Sequence, residues 1–174
     1  MFRRAFTLME VNLAILVMAG GLLSIIGLYS FGYREAGQSG EDVASAAYAD
    51  AVIGQLAMAI SQTNVKWSVF RDAVSPSCSD NANSAWRYYC DGNGEVTSDP
   101  ESKAIAEFNY WKGKLGWGGS WPSEASGGLR AALVVQHDVD DAIVRIGFRA
   151  TKKPRLLLSQ PLYYTEVRFQ GVPE

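Results

Sequence analysis

From Val11 to Phe31 the chain reads Val-Asn-Leu-Ala-Ile-Leu-Val-Met-Ala-Gly-Gly-Leu-Leu-Ser-Ile-Ile-Gly-Leu-Tyr-Ser-Phe, without one charged side chain. As a helix rising ~1.5 Å per residue, some ~20 such residues cover roughly 30 Å, the thickness of a bilayer's hydrocarbon core. The run therefore predicts a membrane-spanning helix. Arg3 and Arg4 precede it and no comparable basic cluster follows it closely. The basic-side rule then places the N-terminus in the cytoplasm and the chain beyond Tyr33 on the far side.

A cleaved secretory signal would show the same arginines and apolar run, but it needs a small-residue cleavage site directly afterwards. Tyr29-Ser30-Phe31-Gly32-Tyr33 is too aromatic for one, and the nearest Ala-x-Ala pattern, Ala47-Tyr48-Ala49, lies well past the apolar end. A plain uncleaved anchor meets a different objection. Glu10 stands at the mouth of the run, where a carboxylate carried towards the bilayer centre without a partner is costly.

The residues around that carboxylate are Arg3-Arg4-Ala5-Phe6-Thr7-Leu8-Met9-Glu10-Val11. This segment resembles the N-terminus of type IV pilins and type II secretion pseudopilins, and the resemblance runs from Arg3 to about Tyr33. Gly21-Leu22-Leu23 through Gly27-Leu28 is similar to V-type minor pilins and I-type minor pseudopilins. The resemblance implies a leader peptide over 1–5, a cut between Ala5 and Phe6 by a prepilin peptidase, N-methylation of the new Phe6 amine, and a filament-assembly role for Glu10. The family usually carries Gly before the cut, where this chain has Ala5. It implies that the helix over 6–33 is first an anchor in the inner membrane and later a filament spine. The implied partners are other pilin or pseudopilin subunits and the peptidase/methyltransferase, with assembly energy supplied by a cytoplasmic ATPase complex.

A physical reason for the carboxylate stands beside the resemblance. At neutral pH an α-amine and a glutamate are both charged, and each is costly in lipid. Pairing the Phe6 amine of one subunit with Glu10 of a neighbour relieves both and sets the axial register between them. The plainer reading leaves Glu10 in the headgroup region of a monomeric anchor. Asn12 is assigned to helix contacts. Gly20, Ser24 and Gly27 recur at spacings of four and three, so they share a helix face that permits close helix packing. Glycine is also common in membrane helices generally, which leaves a dedicated face and mere composition both open.

Beyond the spine, Gly37-Gln38-Ser39-Gly40 interrupts the pattern, and Ser39 with Asp42 resembles a helix cap. The segment 34–62 is therefore expected to hold a linker and an amphipathic helix from Glu41 to about Ser61, either continuing the spine or packing separately, with Tyr48, Val52, Leu56 and Ile60 as its apolar stripe. Residues 63–174 form the extracytoplasmic domain. Within it, 76–128 shows no sustained periodicity and is expected to be a variable loop region. Trp111, Trp117 and Trp121 fall in or beside the Gly/Ser-rich stretch 113–128. The favoured reading has these rings covering the domain's own core, and the other has them meeting a partner subunit or a glycan. Asp91-Gly92-Asn93-Gly94-Glu95 starts like a calcium loop, but Val96 and Ser102 occupy the positions that need Gly and Glu, so a solvated turn is expected. Cys78 and Cys90 are the only cysteines and lie on the side where thiols oxidise, which predicts a disulfide.

Strand rhythm returns at Ala142, Val144, Ile146 and Phe148, with 131–136 as the hairpin partner across Asp138-Val139-Asp140-Asp141. Arg155 to Leu158 is read as a further strand ended by Pro161. In 162–170, Tyr163, Thr165, Val167 and Phe169 share a face. The fold class is α+β: a long N-terminal hydrophobic helix, a second helix and a small antiparallel sheet.

Composition narrows the function. Hydrophobic residues are 48% and charged residues 20%, which excludes a disordered chain, and a formal charge of −2 gives no footing for nucleic acid. One histidine, His137, and two cysteines cannot build a Cys/His zinc cluster, and no nucleophile–base motif is visible. His137 is read as a loop residue, and neither a metal nor a cofactor is expected. The expectation is a structural, non-catalytic minor pilin or pseudopilin subunit, single-pass in the inner membrane and destined for a periplasmic or surface filament. The alternative is a monomeric membrane-anchored extracytoplasmic binding domain.

Overall fold

The first helix begins where the sequence supplies a cap and ends where the packed stripe runs out. A computed structural model describes residues 7–78, 85–137 and 142–172. In it α1 runs Leu8–Ser61 without interruption. The expected break at Gly37-Gln38-Ser39-Gly40 is absent, and Ser39 caps nothing. Each of those glycines costs about 1 kcal/mol against alanine, but none is a proline, so the hydrogen-bond ladder stays whole. Two compact units divide at this point, Met1–Glu41 and Asp42–Glu174. In the first unit the described residues from Thr7 to Gly40 are exposed throughout.

In the second unit α1 buries one stripe, Ser45, Tyr48, Ala49, Val52, Leu56, Ala59 and Ile60, as its four-residue spacing predicts. The Tyr48 ring meets Phe148 edge-on at 5.2 Å between centroids and Trp121 at 5.9 Å. Ser45 Oγ lies 2.7 Å from Tyr163 Oη. These contacts hold the helix on a three-stranded antiparallel sheet of order β1-β2-β3, with β1 Arg130–His137, β2 Ile143–Thr151 and β3 Tyr163–Arg168. Leu133 stands opposite Phe148, and Ile146 opposite Thr165. Val144, Ile146, Phe148 and Ala150 are the buried face of β2, in the alternation read from the sequence. The Asp138 to Asp141 turn lies outside the described residues.

The expected strand at Arg155–Leu158 is instead a 3₁₀ turn, Pro154–Ser159. Pro154 opens it and cannot donate to a ladder. Leu157 is buried, and Arg149 NH1 donates to the Leu158 carbonyl, fastening the turn to β2.

The larger correction is α3, Pro100–Leu115, inside the segment expected to be loop. Asp99 is its N-cap, accepting from Ser102 N at 3.3 Å, and Pro100 occupies the first turn, where a missing N–H costs nothing. Hydrogen bonds from the Ser102 hydroxyl and amide hold the Asp99 carboxyl below its usual range. Gly116 ends the helix at φ +64°, a left-handed turn that favours glycine. Ala104, Phe108, Trp111 and Leu115 form the buried stripe. A short α2, Trp67–Arg71, lays Phe70 beneath Trp111, with ring centroids 4.6 Å apart.

The edge of β1 is closed by a side chain. Tyr89 Oη donates to the Leu133 carbonyl at 2.6 Å and accepts from Leu133 N at 2.8 Å. Tyr89→Phe strands both backbone groups in a buried site, where each such loss costs about 1–3 kcal/mol. Chemical denaturation followed by tryptophan fluorescence should show a midpoint shift of that size. An unshifted midpoint would mean that water replaces the hydroxyl.

Candidate assembly helix and the sites around it

Thr7 and Glu10 build the start of α1 together. Thr7 Oγ1 accepts from Glu10 N at 3.3 Å, while Thr7 N and Thr7 Oγ1 donate to Glu10 Oε2 at 2.8 and 3.0 Å. This reciprocal arrangement is a capping box, and Thr-x-x-Glu is its sequence signature. Glu10 thus has a local role in starting the helix beside the assembly role expected from the sequence. Only Oε2 is used; among the described residues Oε1 has no hydrogen-bond partner. Ala5 and Phe6, the expected cleavage and methylation residues, lie outside the described residues.

From this box α1 continues as a helix long and apolar enough to cross a membrane, near the N-terminus and without burial inside the chain. Leu13, Ile15, Leu16, Val17, Leu22, Leu23 and Ile26 are each more than half exposed. The Gly20, Ser24 and Gly27 positions share one side of it. Ser24 Oγ donates to the Gly20 carbonyl at 2.9 Å, so the one hydroxyl on this face is satisfied within the helix. A methyl group built at Gly20 or Gly27 would meet nothing within 4 Å. Among the described residues no contact requires glycine at either position. Tyr29, Phe31 and Tyr33 close the apolar run just before Arg34 and Glu35, and the Tyr29 and Tyr33 rings lie 6.4 Å apart. Amphipathic rings of this kind suit a membrane–water boundary.

The other singled-out residues sit in the second unit. Cys78 and Cys90 are not bridged in the structure, which gives the expected disulfide no support. Each sulfur is placed by its own short element. Cys78 closes the 3₁₀ turn Pro76–Cys78 with Sγ 4.0 Å from Gln136 Nε2, whereas Cys90 pairs with Val96 in an isolated bridge. The Asp91 segment is a turn closed on itself, with Asp91 Oδ1 accepting from Asn93 N at 2.9 Å and Glu95 N at 3.0 Å. Trp111 is 1% exposed, and the half-buried Trp117 and Trp121 each meet Phe108 edge-on at 5.4 Å. The tryptophans thus cover the domain's own core. His137 ends β1, with Nε2 3.4 Å from the Ala73 carbonyl and its ring against Trp67 and Phe70.

The sequence reading missed Glu107. It is fully buried on α3, where it accepts from the Ser75 hydroxyl, from Ser77 N at 3.0 Å and from Trp111 Nε1 at 2.9 Å. Burial pushes its carboxyl above the usual range, against the opposing pull of these hydrogen bonds. The charge in turn helps raise the Tyr88 and Tyr110 hydroxyls, whose larger cause is their own desolvation. Its i, i+4 spacing to Trp111 would have shown the pair once α3 was recognised. Among the described residues no three His, Cys, Asp or Glu side chains converge to hold a metal ion.

Compared with family models, with curated proteins and with solved structures, the chain matches none.

Proposed function

We propose that this chain is a structural subunit of a pilin-like filament, similar to minor pilins and pseudopilins, anchored by α1 in the inner membrane before assembly. The observation that carries the reading is the start of α1, where a carboxylate with one oxygen unpaired among the described residues heads an apolar helix that none of those residues covers. A charge there is costly in lipid unless another molecule brings a cation. The N-terminal amine that cleavage before Phe6 would create is such a cation, one residue before the capping box. The outer domain serves as the exposed body of the subunit, and the chain itself performs no catalysis.

Mass spectrometry of membrane-extracted protein tests the reading. The expected result is a mature N-terminus at Phe6 carrying one methyl group. Retention of Met1 in the fully expressed, membrane-bound protein would overturn it in favour of a monomeric anchored binding domain.

A further inference from the structure

A cavity of about 470 Å³ opens between the C-terminal turns of α1 and α3, within the volume range of small-molecule sites. Gln55, Met58 and Gln62 lie on one face of α1 and its exit, three and four positions apart. Asn64 and Val65 continue that wall, and Leu115, Gly116 and Trp117 supply the opposite one. The two walls are tied at the base by Thr63 Oγ1, which donates to the Leu115 carbonyl at 3.4 Å and accepts from Val65 N at 3.2 Å. Trp117 is placed by the left-handed cap at Gly116, through its N–H to the Lys112 carbonyl at 3.1 Å.

The lining is uncharged throughout. It contains no acid, base or thiol. The side-chain amides of Gln55, Gln62 and Asn64 have no hydrogen-bond partner among the described residues; Gln55 is half-buried, and Gln62 and Asn64 are exposed at the cavity's rim. Each amide offers one carbonyl acceptor and two N–H donors. That set matches a pair of neighbouring hydroxyls, one donating and one accepting, while the Trp117 indole and the Met58 thioether offer apolar surface to C–H faces. A charged ligand would find no counter-ion. An extended peptide would want free main-chain groups on a strand edge, and this site is walled by helix ends and a cap loop.

From this juxtaposition we infer that the cavity is a binding site for a neutral saccharide, a short oligosaccharide or the end of a polysaccharide chain. The site lies wholly in the outer unit and does not depend on the filament reading. It gives the exposed body of the protein a ligand of its own.

Isothermal titration of the full-length protein tests this. The detergent must lack a sugar headgroup, for example lauryldimethylamine oxide, because a maltoside would compete. Maltotriose, cellotriose and triacetylchitotriose are the probes. The expected result is that at least one binds with a dissociation constant on the order of 1 mM or tighter. Gln55→Leu and Gln62→Ala should each weaken it tenfold or more. Asn109→Ala, an exposed amide on α3 outside the cavity, should leave it unchanged. Because Gln62 is exposed, its variant keeps the wild-type thermal midpoint, so lost binding there cannot be blamed on unfolding. With protein in phosphatidylcholine vesicles, a neutral galactolipid that abolishes the response to free sugar marks a headgroup ligand; an unchanged response marks a soluble one, and both keep the saccharide class. No binding by any probe at ten times that concentration would overturn the inference. So would binding that survives both glutamine variants, or equal binding of the neutral dipeptide amide glycyl-glutamine amide.

Discussion

Glu10→Ala is expected to abolish recovery of this protein in complexes with filament partners while leaving it in the membrane at the wild-type level. The carboxylate has two uses that a single substitution confounds. Through Oε2 it completes the capping box with Thr7, and through the free Oε1 it can meet a neighbour's amine. Glu10→Gln separates them, because glutamine serves in a capping box as well as glutamate does, yet carries no charge. If charge pairing drives assembly, Gln fails nearly as badly as Ala; if Glu10 only starts the helix, Gln behaves as wild type. Thr7→Ala is the complementary variant. It removes the cap hydroxyl, keeps the carboxylate, and should leave most of the assembly intact. Gly20→Ala should also be mild, since a methyl there meets nothing among the described residues. The measurement is co-purification after membrane extraction, with protein abundance followed in parallel. Wild-type recovery of Glu10→Ala in such complexes would sink the assembly role.

The parts of the fold that could be read from sequence are those where one periodicity holds over a long stretch. The apolar run Val11–Phe31 sits in a helix, and the alternation Val144, Ile146, Phe148 gives a strand with those three side chains buried. Misreadings arose where a local signal competed with its context. Gly37 and Gly40 looked like a break, yet a helix with no proline and a packed stripe from Ser45 onward carries through two glycines. Asp99-Pro100 is a helix start, but it follows a Gly- and Asn-rich turn whose composition hid the Ala104, Phe108, Trp111 spacing behind it. Missing α3 meant missing Glu107, because a carboxylate is recognised as buried only once the face it shares is known. The cysteine pairing finds no support in the fold for another reason. Separation along the chain says nothing of where two short elements aim their sulfurs, and Cys78 is turned towards Gln136. At Glu10 the Thr-x-x-Glu spacing carries a capping box as well as a charge, and a single carboxylate serves both.

Glu107→Ala is expected to cost the unit Asp42–Glu174 on the order of 4 kcal/mol of stability. Three donors converge on this carboxylate, the Ser75 hydroxyl, the Ser77 amide and the Trp111 indole. Truncation leaves the Trp111 indole N–H without its acceptor, leaves Ser75 and Ser77 only their bonds to each other, and opens a cavity beneath α3. That is a large share of the ~5–15 kcal/mol by which folded domains exceed their unfolded chains. Glu107→Gln should cost less, since one amide oxygen replaces part of the acceptor set and no charge need be buried. The two variants also differ from wild type in their response to pH. Burial raises the Glu107 carboxyl in the folded state above its reference value of 4.5. The folded protein therefore holds this proton more tightly than the unfolded chain does. Its contribution to stability is fully present below the unfolded value and is lost as pH rises through the raised folded value. Wild type should gain stability relative to Glu107→Gln as pH falls through that window. The titratable neighbours Tyr88, Tyr89 and Tyr110 all have raised values and stay neutral there. Urea unfolding of wild type and Glu107→Gln at a series of pH values reads the difference directly. A gap that does not change with pH, or one that narrows on acidification, would mean that the carboxylate's hydrogen bonds outweigh its burial and that Glu107 is ionised without net penalty.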